Sequence, residues 1–311
     1  MINKIVAIQG DHPSKLNPLT DTSIFLANEI QKKRYKIFYY EPKNLSIIKS
    51  KIIAEGFFIE FNYNKKKFFK VLKKKKLDLS KCKFILIRQD PPFNLEYIST
   101  TYILDAIRNK VKIINNPTSI RNISEKLYSP KYQKFMPDTL FSQNINEIKK
   151  FINIHKKVVL KPIYGHGGND ILLLSRINPR LIKRFIKKHN FIMCQKFLPK
   201  INKGDKRVFI INGKITGAIS RVPKKGSILS NLSKGGKAIN TKLTNNEIKI
   251  SKKIASDLKK ENIFFAGIDF IDQKINGDIN VTSPTGLKTL YDISKINLAK
   301  TFWKELKAWK I

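Results

Sequence analysis

The sequence predicts a mixed chain, with an α/β domain built on a mostly parallel sheet in the first third and α+β structure to the end. Two observations carry this. Up to residue 114, short apolar runs alternate with helical patterns, as strands joined by crossover helices do. After Asn116-Pro117 the alternation gives way to helices, hairpins and turns in mixed order. The size agrees, because 311 residues that are 41% hydrophobic can bury a large core spread over two or three subdomains.

In the first third, strands are expected at Ile5 to Ile8, Tyr35 to Tyr40, Phe84 to Arg88 and Val111 to Ile114, with helices at Thr22 to Lys33 and Leu95 to Asn109. The loops Gly10-Asp11-His12-Pro13 and Arg88-Gln-Asp-Pro-Pro-Phe93 follow strands directly, and ligands of parallel sheets collect beyond the carboxyl ends of strands. Further on, helices are expected at Ser119 to Leu127 and near Ile145 to Ile154. Strands follow at Val158 to Lys161, Ile171 to Leu174, Arg207 to Ile211 and Lys214 to Ser220. Thr244-Asn-Asn-Glu247 has the spacing of a capping box and should start a helix. Strands near Phe264 to Ile271 and, after a turn at Gly277, Asp278 to Val281 precede a last helix from about Asp292.

The net charge is +39, from 62 Lys and Arg against 23 Asp and Glu. Such a balance suits polyanions. Yet only nine of the 62 are Arg, and the lysines come as short runs such as Lys65 to Lys67 and Lys73 to Lys76, without interleaved aromatics. Solvated faces are therefore favoured over a specific nucleic-acid site. Cys82 and Cys194 each lie in an apolar stretch and read as packed, reduced thiols. The apolar run at the start is too short for a secretory signal, and no stretch approaches ~18 apolar residues, so a cytoplasmic protein with no membrane partner is expected.

Three groups of residues can carry chemistry. Lys161-Pro-Ile-Tyr-Gly165-His-Gly167-Gly168 lies between two strands. Glycines let backbone N–H groups approach phosphate oxygens, and a strand-end lysine neutralises their charge, although a plain flexible hairpin fits the same string. Asp269 is a carboxylate inside an apolar strand and needs a partner. Asp278 and Asn280, two apart on a strand, can face the same side, and the three together offer hard oxygens of the kind that hold magnesium. Asp205, Arg207 and Arg221 sit on a hairpin that can aim two guanidinium groups at one pocket. Nothing in the sequence, with four His and neither GxSxG nor HExxH, singles out a nucleophile.

In their joint order these motifs are similar to a known set. Arg88-Gln-Asp-Pro-Pro-Phe, Glu125-Lys126-Leu127, Leu160-Lys161-Pro162, Gly165-His-Gly-Gly168, Gln195 with Phe197-Leu-Pro, Gly204-Asp-Lys-Arg207-Val, Gly267-Ile-Asp269 and Ile279-Asn280-Val-Thr-Ser-Pro-Thr285 together resemble bacterial glutathione synthetase, of the ATP-grasp superfamily, over almost the whole chain. The resemblance implies an N-terminal substrate domain (1–118), a central lid unit (119–200) and a C-terminal unit (201–311) carrying the metal. It implies ligation of γ-glutamylcysteine to glycine, with ATP converted to ADP and phosphate and with magnesium or manganese as the metal. By the same resemblance Lys126 and Lys161 meet the nucleotide. Gly165, Gly167 and Gly168 close over its phosphates, Gln195, Phe197 and Leu198 form the adenine hinge, and Asp205 lies near the ribose.

Further implied roles are metal binding by Asp269, Asp278 and Asn280, peptide binding by Arg88, Ser283 and Thr285, and catalytic work by Arg207 on the phosphoryl group and Arg221 on the peptide. A homotetramer is also implied. Departures from the usual pattern are Asp278 for Glu, Leu229 for an Arg, Leu287-Lys288-Thr289 for Ile-Arg-Glu, and Gln9-Gly10-Asp11 for Met-Asp-Pro. Another ATP-grasp ligase with a different peptide or amino-acid substrate is the alternative, and a nonenzymatic basic protein that binds nucleic acid is the rival from another class.

Overall fold

The computed structural model describes residues 4–309, in which three sheets follow one another along the chain. The first contains β1 (Ile5–Gln9), β2 (Lys36–Tyr40), β3 (Leu45–Ile48), β4 (Lys51–Phe61), β5 (Phe69–Asp78), β6 (Phe84–Ile87) and β7 (Lys112–Ile114). In the order β2, β1, β6, β7 the strands run parallel, with α1 (Thr22–Gln31) and α2 (Leu95–Asp105) as crossovers, which matches the expected alternation. On the β2 edge, β3, β4 and β5 add an antiparallel meander that was not expected. Its outer strand β5 is lysine-coated from Lys70 to Lys76 and exposed along most of its length, so it lacks the apolar alternation that betrays a strand.

The helix expected at Ser119 to Leu127 is shorter. Asn116 caps α3 (Pro117–Asn122), and the chain then leaves helical geometry. The cause is tertiary. The Glu125 carboxylate accepts hydrogen bonds from the N–H groups of Val281 and Thr282 and from the Thr282 hydroxyl, and its carbonyl accepts from Ile279 N. This pins residues 123–128 to the third sheet and leaves Lys126 free of a helix.

The second sheet, in the order β10 (Leu172–Leu174), β9 (Val158–Pro162), β11 (Ile192–Lys196), β8 (Thr139–Ser142), is antiparallel. Its helices α4 (Ile145–His155) and α5 (Pro179–His189) bury Ile148, Ile152 and Ile182 against Val158, Leu160 and Ile192. The third sheet runs β14 (Lys237–Asn240), β13 (Lys214–Val222), β12 (Asp205–Ile211), β15 (Phe265–Ile271), β16 (Lys274–Asn280). On one face lies α6 (Asn245–Lys260), started by the expected Thr244/Glu247 capping box.

The last helix is in fact two, α7 (Leu287–Ser294) and α8 (Leu298–Ala308). They are separated where Lys295 turns left-handed and Asn297 caps the second. Both pack between the third sheet and α1, so that Phe209, Phe265, Phe302 and Trp303 share one core with Ile24 and Leu26. Asn115 locks the same interface. Its amide donates to the carbonyls of Phe265 and Val281, both at 2.7 Å, and accepts from the N–H groups of Phe264 and Phe265. Among the described residues no helix is long and apolar enough to cross a membrane, and both cysteines are buried and free.

Candidate active site

A cavity of about 720 Å³ is walled by the second and third sheets and closed at one end by loops of the first domain. Its lining gathers Lys126, Lys161, Gly165, Gly167, Gly168, Gln195, Phe197, Leu198, Asp205, Arg207, Arg221, Asp269, Asp278, Asn280, Ser283 and Thr285, all anticipated as site residues. Arg88 is the exception. Buried behind the wall, it donates from Nε to the Ser23 hydroxyl at 3.0 Å and from Nη2 to the Pro284 carbonyl at 3.1 Å. Ser283 Oγ donates to the Gln89 carbonyl, so the 283–285 turn is tied to the Arg88 loop twice over.

The third sheet supplies a buried four-residue ionic network. Asp205 faces Arg221 across β12 and β13, and Arg207 faces Asp269 across β12 and β15. Arg207 grips Asp269 with both Nε and Nη2, and Arg221 grips Asp205 the same way and reaches Asp269 at 3.0 Å. Burial would raise the Asp269 carboxyl, but Arg207 and then Arg221 outweigh it and hold it well below the usual carboxylate range. Burial likewise works against the Arg221 cation, and Asp269 and Asp205 overcome it, pushing its proton affinity up.

Two guanidiniums and two carboxylates thus cancel, whereas around Asp278 of β16, where the second and third sheets meet, two ammonium groups face one carboxylate. Lys126 lies 3.1 Å from Asp278 and donates to the Gly165 carbonyl at 2.7 Å. Lys161 donates to Gln195 Oε1 at 3.1 Å and to the Asn276 carbonyl at 2.6 Å, with Asp278 at 4.0 Å. Burial lowers the Lys161 pKa, with Asp278 opposing and Lys126 adding to the fall. Two ammonium groups thus share one carboxylate beside the glycine-rich loop, held by hydrogen bonds that an anionic ligand can take over.

Asp278 and Asn280 do share a face, together with Asn276, but not after a turn at Gly277. The hairpin turns at Asp272-Gln273, and Gly277 lies in an irregularity inside β16, at φ +96°, where a Cβ would strike the Met193 side chain. No group of three His, Cys, Asp or Glu side chains gathers around a point among the described residues. The candidate metal donors are two carboxylates and one amide. Asn280 Nδ2 is committed to the Gly267 carbonyl and Asp269, which leaves Oδ1 as its open end.

Asp21, Asn231, Asn276 and Thr289 also line the cavity and were not anticipated, whereas Asp90 lies in the Arg88-to-Phe93 loop already expected near a ligand. For Asn276 a signal existed, since it lies two residues before Asp278 on the same strand.

Fold and site together define an ATP-grasp ligase, a fold in which two α+β units enclose a nucleotide. The solved structure of D-cycloserine synthetase shares the fold, with a TM-score of 0.67 at 11% identity over 97% of this chain and 99% of that one. So does the ATP-grasp ligase PsnB complexed with minimal precursor, Mg and ADP (TM-score 0.61, 10% identity, 98% of both chains). Magnesium and nucleotide thus accompany this ligase fold in a relative.

The model of the prokaryotic glutathione synthetase N-terminal domain matches residues 5–121, and that of the prokaryotic glutathione synthetase ATP-grasp domain matches residues 125–295. The glutathione synthetase of Agrobacterium fabrum (strain C58) is 35% identical over 305 residues, which is 96% of this chain and 95% of that protein. The chain belongs to the prokaryotic glutathione synthetase family and is an ADP-forming carbon–nitrogen ligase, as the sequence motifs implied.

Proposed function

We propose that the cavity joins the cysteinyl carboxylate of γ-glutamylcysteine to the amine of glycine through an acyl phosphate, with ATP as phosphoryl donor. The observation that carries this is the pair of ammonium groups of Lys126 and Lys161, with Asp278 as their shared carboxylate, beside the Gly165–Gly168 loop. A carboxylate attacks the γ-phosphorus only where repulsion between anions is cancelled. ADP then leaves, the glycine amine attacks the acyl carbon, and phosphate departs.

In this reading Lys126 exchanges its Gly165 carbonyl, and Lys161 its Asn276 carbonyl, for phosphate oxygens. Gln195, Phe197 and Leu198 flank the base, and Asp205 lies near the ribose. Arg207, fixed by Asp269 and with Nη1 3.4 Å from the Thr285 carbonyl, steadies the transferred group. Arg221 acts on the peptide, which Ser283 and Thr285 seat, and Arg88 acts on it by holding their turn from behind.

Asp269, Asp278 and Asn280 fit magnesium, which takes one or two carboxylates and leaves its other positions to water and phosphate. Such an ion would supply positive charge beside the phosphoryl group, and manganese accepts the same oxygens. The proposal extends to the division at residues 118 and 200, a cytoplasmic homotetramer, and no specific nucleic-acid partner.

Leu229 and Thr289 stand on the cavity wall where the family has charged residues, which favours a shifted peptide preference as the second reading. One experiment separates the two. The protein is given ATP, magnesium, glycine and a panel of acceptor peptides, and phosphate and ligated product are measured by mass spectrometry. Glutathione as the main product supports the first reading. Product from another acceptor supports the second, and the absence of any product overturns both.

A further inference from the structure

The glycine-rich loop between β9 and β10 touches more than the nucleotide side of the cavity. Tyr164, one residue before Gly165, lays its ring on Phe93 with centroids 6.3 Å apart and planes inclined by 28°. Phe93 in turn packs on Tyr97 at 5.1 Å, and Tyr97 is buried in the core of the first domain. These distances lie within the attractive range for aromatic pairs. Phe93 ends the loop that begins with Arg88, and Arg88 holds the turn at Pro284. On its other side the glycine loop meets the 229–231 segment, because a Cβ on Gly168 would fall 2.5 Å from Asn231 Oδ1.

The ladder Tyr164–Phe93–Tyr97 therefore links the phosphate loop of one unit to the peptide end of the cavity in another. Tyr164 is otherwise hard to explain. It is 56% exposed, and its hydroxyl has no hydrogen bond among the described residues, so the ring's contact with Phe93 is what it contributes.

We propose that Tyr164 is a positioning residue that couples closure of the phosphate loop to the loop carrying Arg88 and Phe93, so that the acyl phosphate forms only in a cavity sealed against water. The inference rests on the ligase reading above. Without the contact, the loop still meets phosphates through its own backbone, but its hold on the first domain is lost. Water then reaches the intermediate, and its oxygen displaces phosphate and regenerates the free peptide carboxylate. ATP is spent without a new C–N bond.

The test compares the unaltered protein with Tyr164→Ala, Tyr164→Phe and Phe93→Ala. Phosphate released per tripeptide formed is the first readout, and amide hydrogen exchange of residues 163–171 and 91–97 in the ligand-free protein is the second. We expect Tyr164→Ala and Phe93→Ala to raise the phosphate-to-product ratio and the exchange of both segments, each by about 2- to 10-fold, the scale set by one aromatic pair. Tyr164→Phe should match the parent, since only the ring is used. An unchanged ratio in Tyr164→Ala with normal exchange overturns the proposal, as does a Tyr164→Phe defect equal to that of Ala. If the parent itself forms no product, the ligase reading fails, and the exchange measurement, which needs no turnover, judges the contact by itself.

Discussion

Arg207 and Asp269 stand directly opposite each other on neighbouring antiparallel strands, joined by two parallel hydrogen bonds of 2.8 and 2.7 Å. The fork of the guanidinium matches the carboxylate, and each member is buried with the other as its neutralising partner. Removing one leaves a buried charge uncompensated, which typically costs about 3–5 kcal/mol. Asp269→Asn should therefore lower unfolding stability by an amount approaching that range and reduce ligation by about 100-fold or more, since Arg207 loses its aim. Urea unfolding and steady-state kinetics on the same sample check this. Near-parental turnover in the folded variant would remove Asp269 from the site.

The same pair sets a pH dependence. The folded carboxyl of Asp269 lies below its unfolded value of about 3.9, so its contribution to stability is complete above that value and declines as pH falls toward the folded one. Between pH 5 and 3 the parent should lose stability more steeply than Asp269→Asn, which has no such carboxylate to protonate. Urea midpoints at pH 5, 4 and 3 would show it, and parallel slopes in the two proteins would contradict it.

Asp278 is the shorter carboxylate where the family usually has Glu, and it already spans the gap between Lys126 and Lys161. Asp278→Glu extends the same charge by one methylene into a cavity with room for it. Activity should be kept or raised, read as kcat at saturating ATP over a range of magnesium. If Glu abolishes turnover, the backbone around Gly277 has adapted to Asp.

Lys161→Met tests binding apart from folding. The substitution removes a buried cation whose pKa burial depresses, and replaces it with an apolar chain of similar length. The KM for ATP should rise about 10- to 100-fold, the worth of a charge-assisted hydrogen bond to phosphate. Stability should change by no more than about 1 kcal/mol, because the lost bonds to Gln195 and Asn276 are offset by relief of charge burial. A variant with unaltered KM for ATP would dissociate Lys161 from the nucleotide.

Much of this site could be read in the sequence as residue types, but not as pairs. Asn212-Gly213 is a two-residue turn joining β12 to β13, and simple counting from Ile211 opposite Lys214 would set Asp205 against Ser220. An irregularity after Phe209 shifts the register by one, so Arg221 arrives there instead. A one-residue slip exchanges the two faces of a strand, and no local pattern announced it. The irregularity in β16 around Gly277 hid the true turn in the same way. By contrast the parallel strands of the first domain were visible because they are continuous apolar runs, and the meander was not because lysine occupies half of β5.

The lysines lead to the last prediction. The structure collects Lys65 to Lys67, Lys70 and Lys73 to Lys76, all exposed, on the single hairpin of β4 and β5, a denser patch than the scattered runs in the sequence suggested. Phe68 and Phe69 nearby are partly buried against the core, so no aromatic ring is presented there for stacking on bases. Lysine on an outer strand also deters edge-to-edge pairing with another sheet, which gives the patch a role without a ligand. Such a field attracts polyanions weakly and is screened over about 8 Å at 0.15 M salt. Fluorescence anisotropy with labelled DNA and RNA should give binding no tighter than ~10⁻⁶ M at that salt, weakening steeply as salt rises. Replacing Lys73 to Lys76 with Gln should reduce the slope against salt while leaving ligation unchanged, since these residues are absent from the cavity wall. Submicromolar affinity that depends on base sequence would overturn the assignment of the charge to a solvated face.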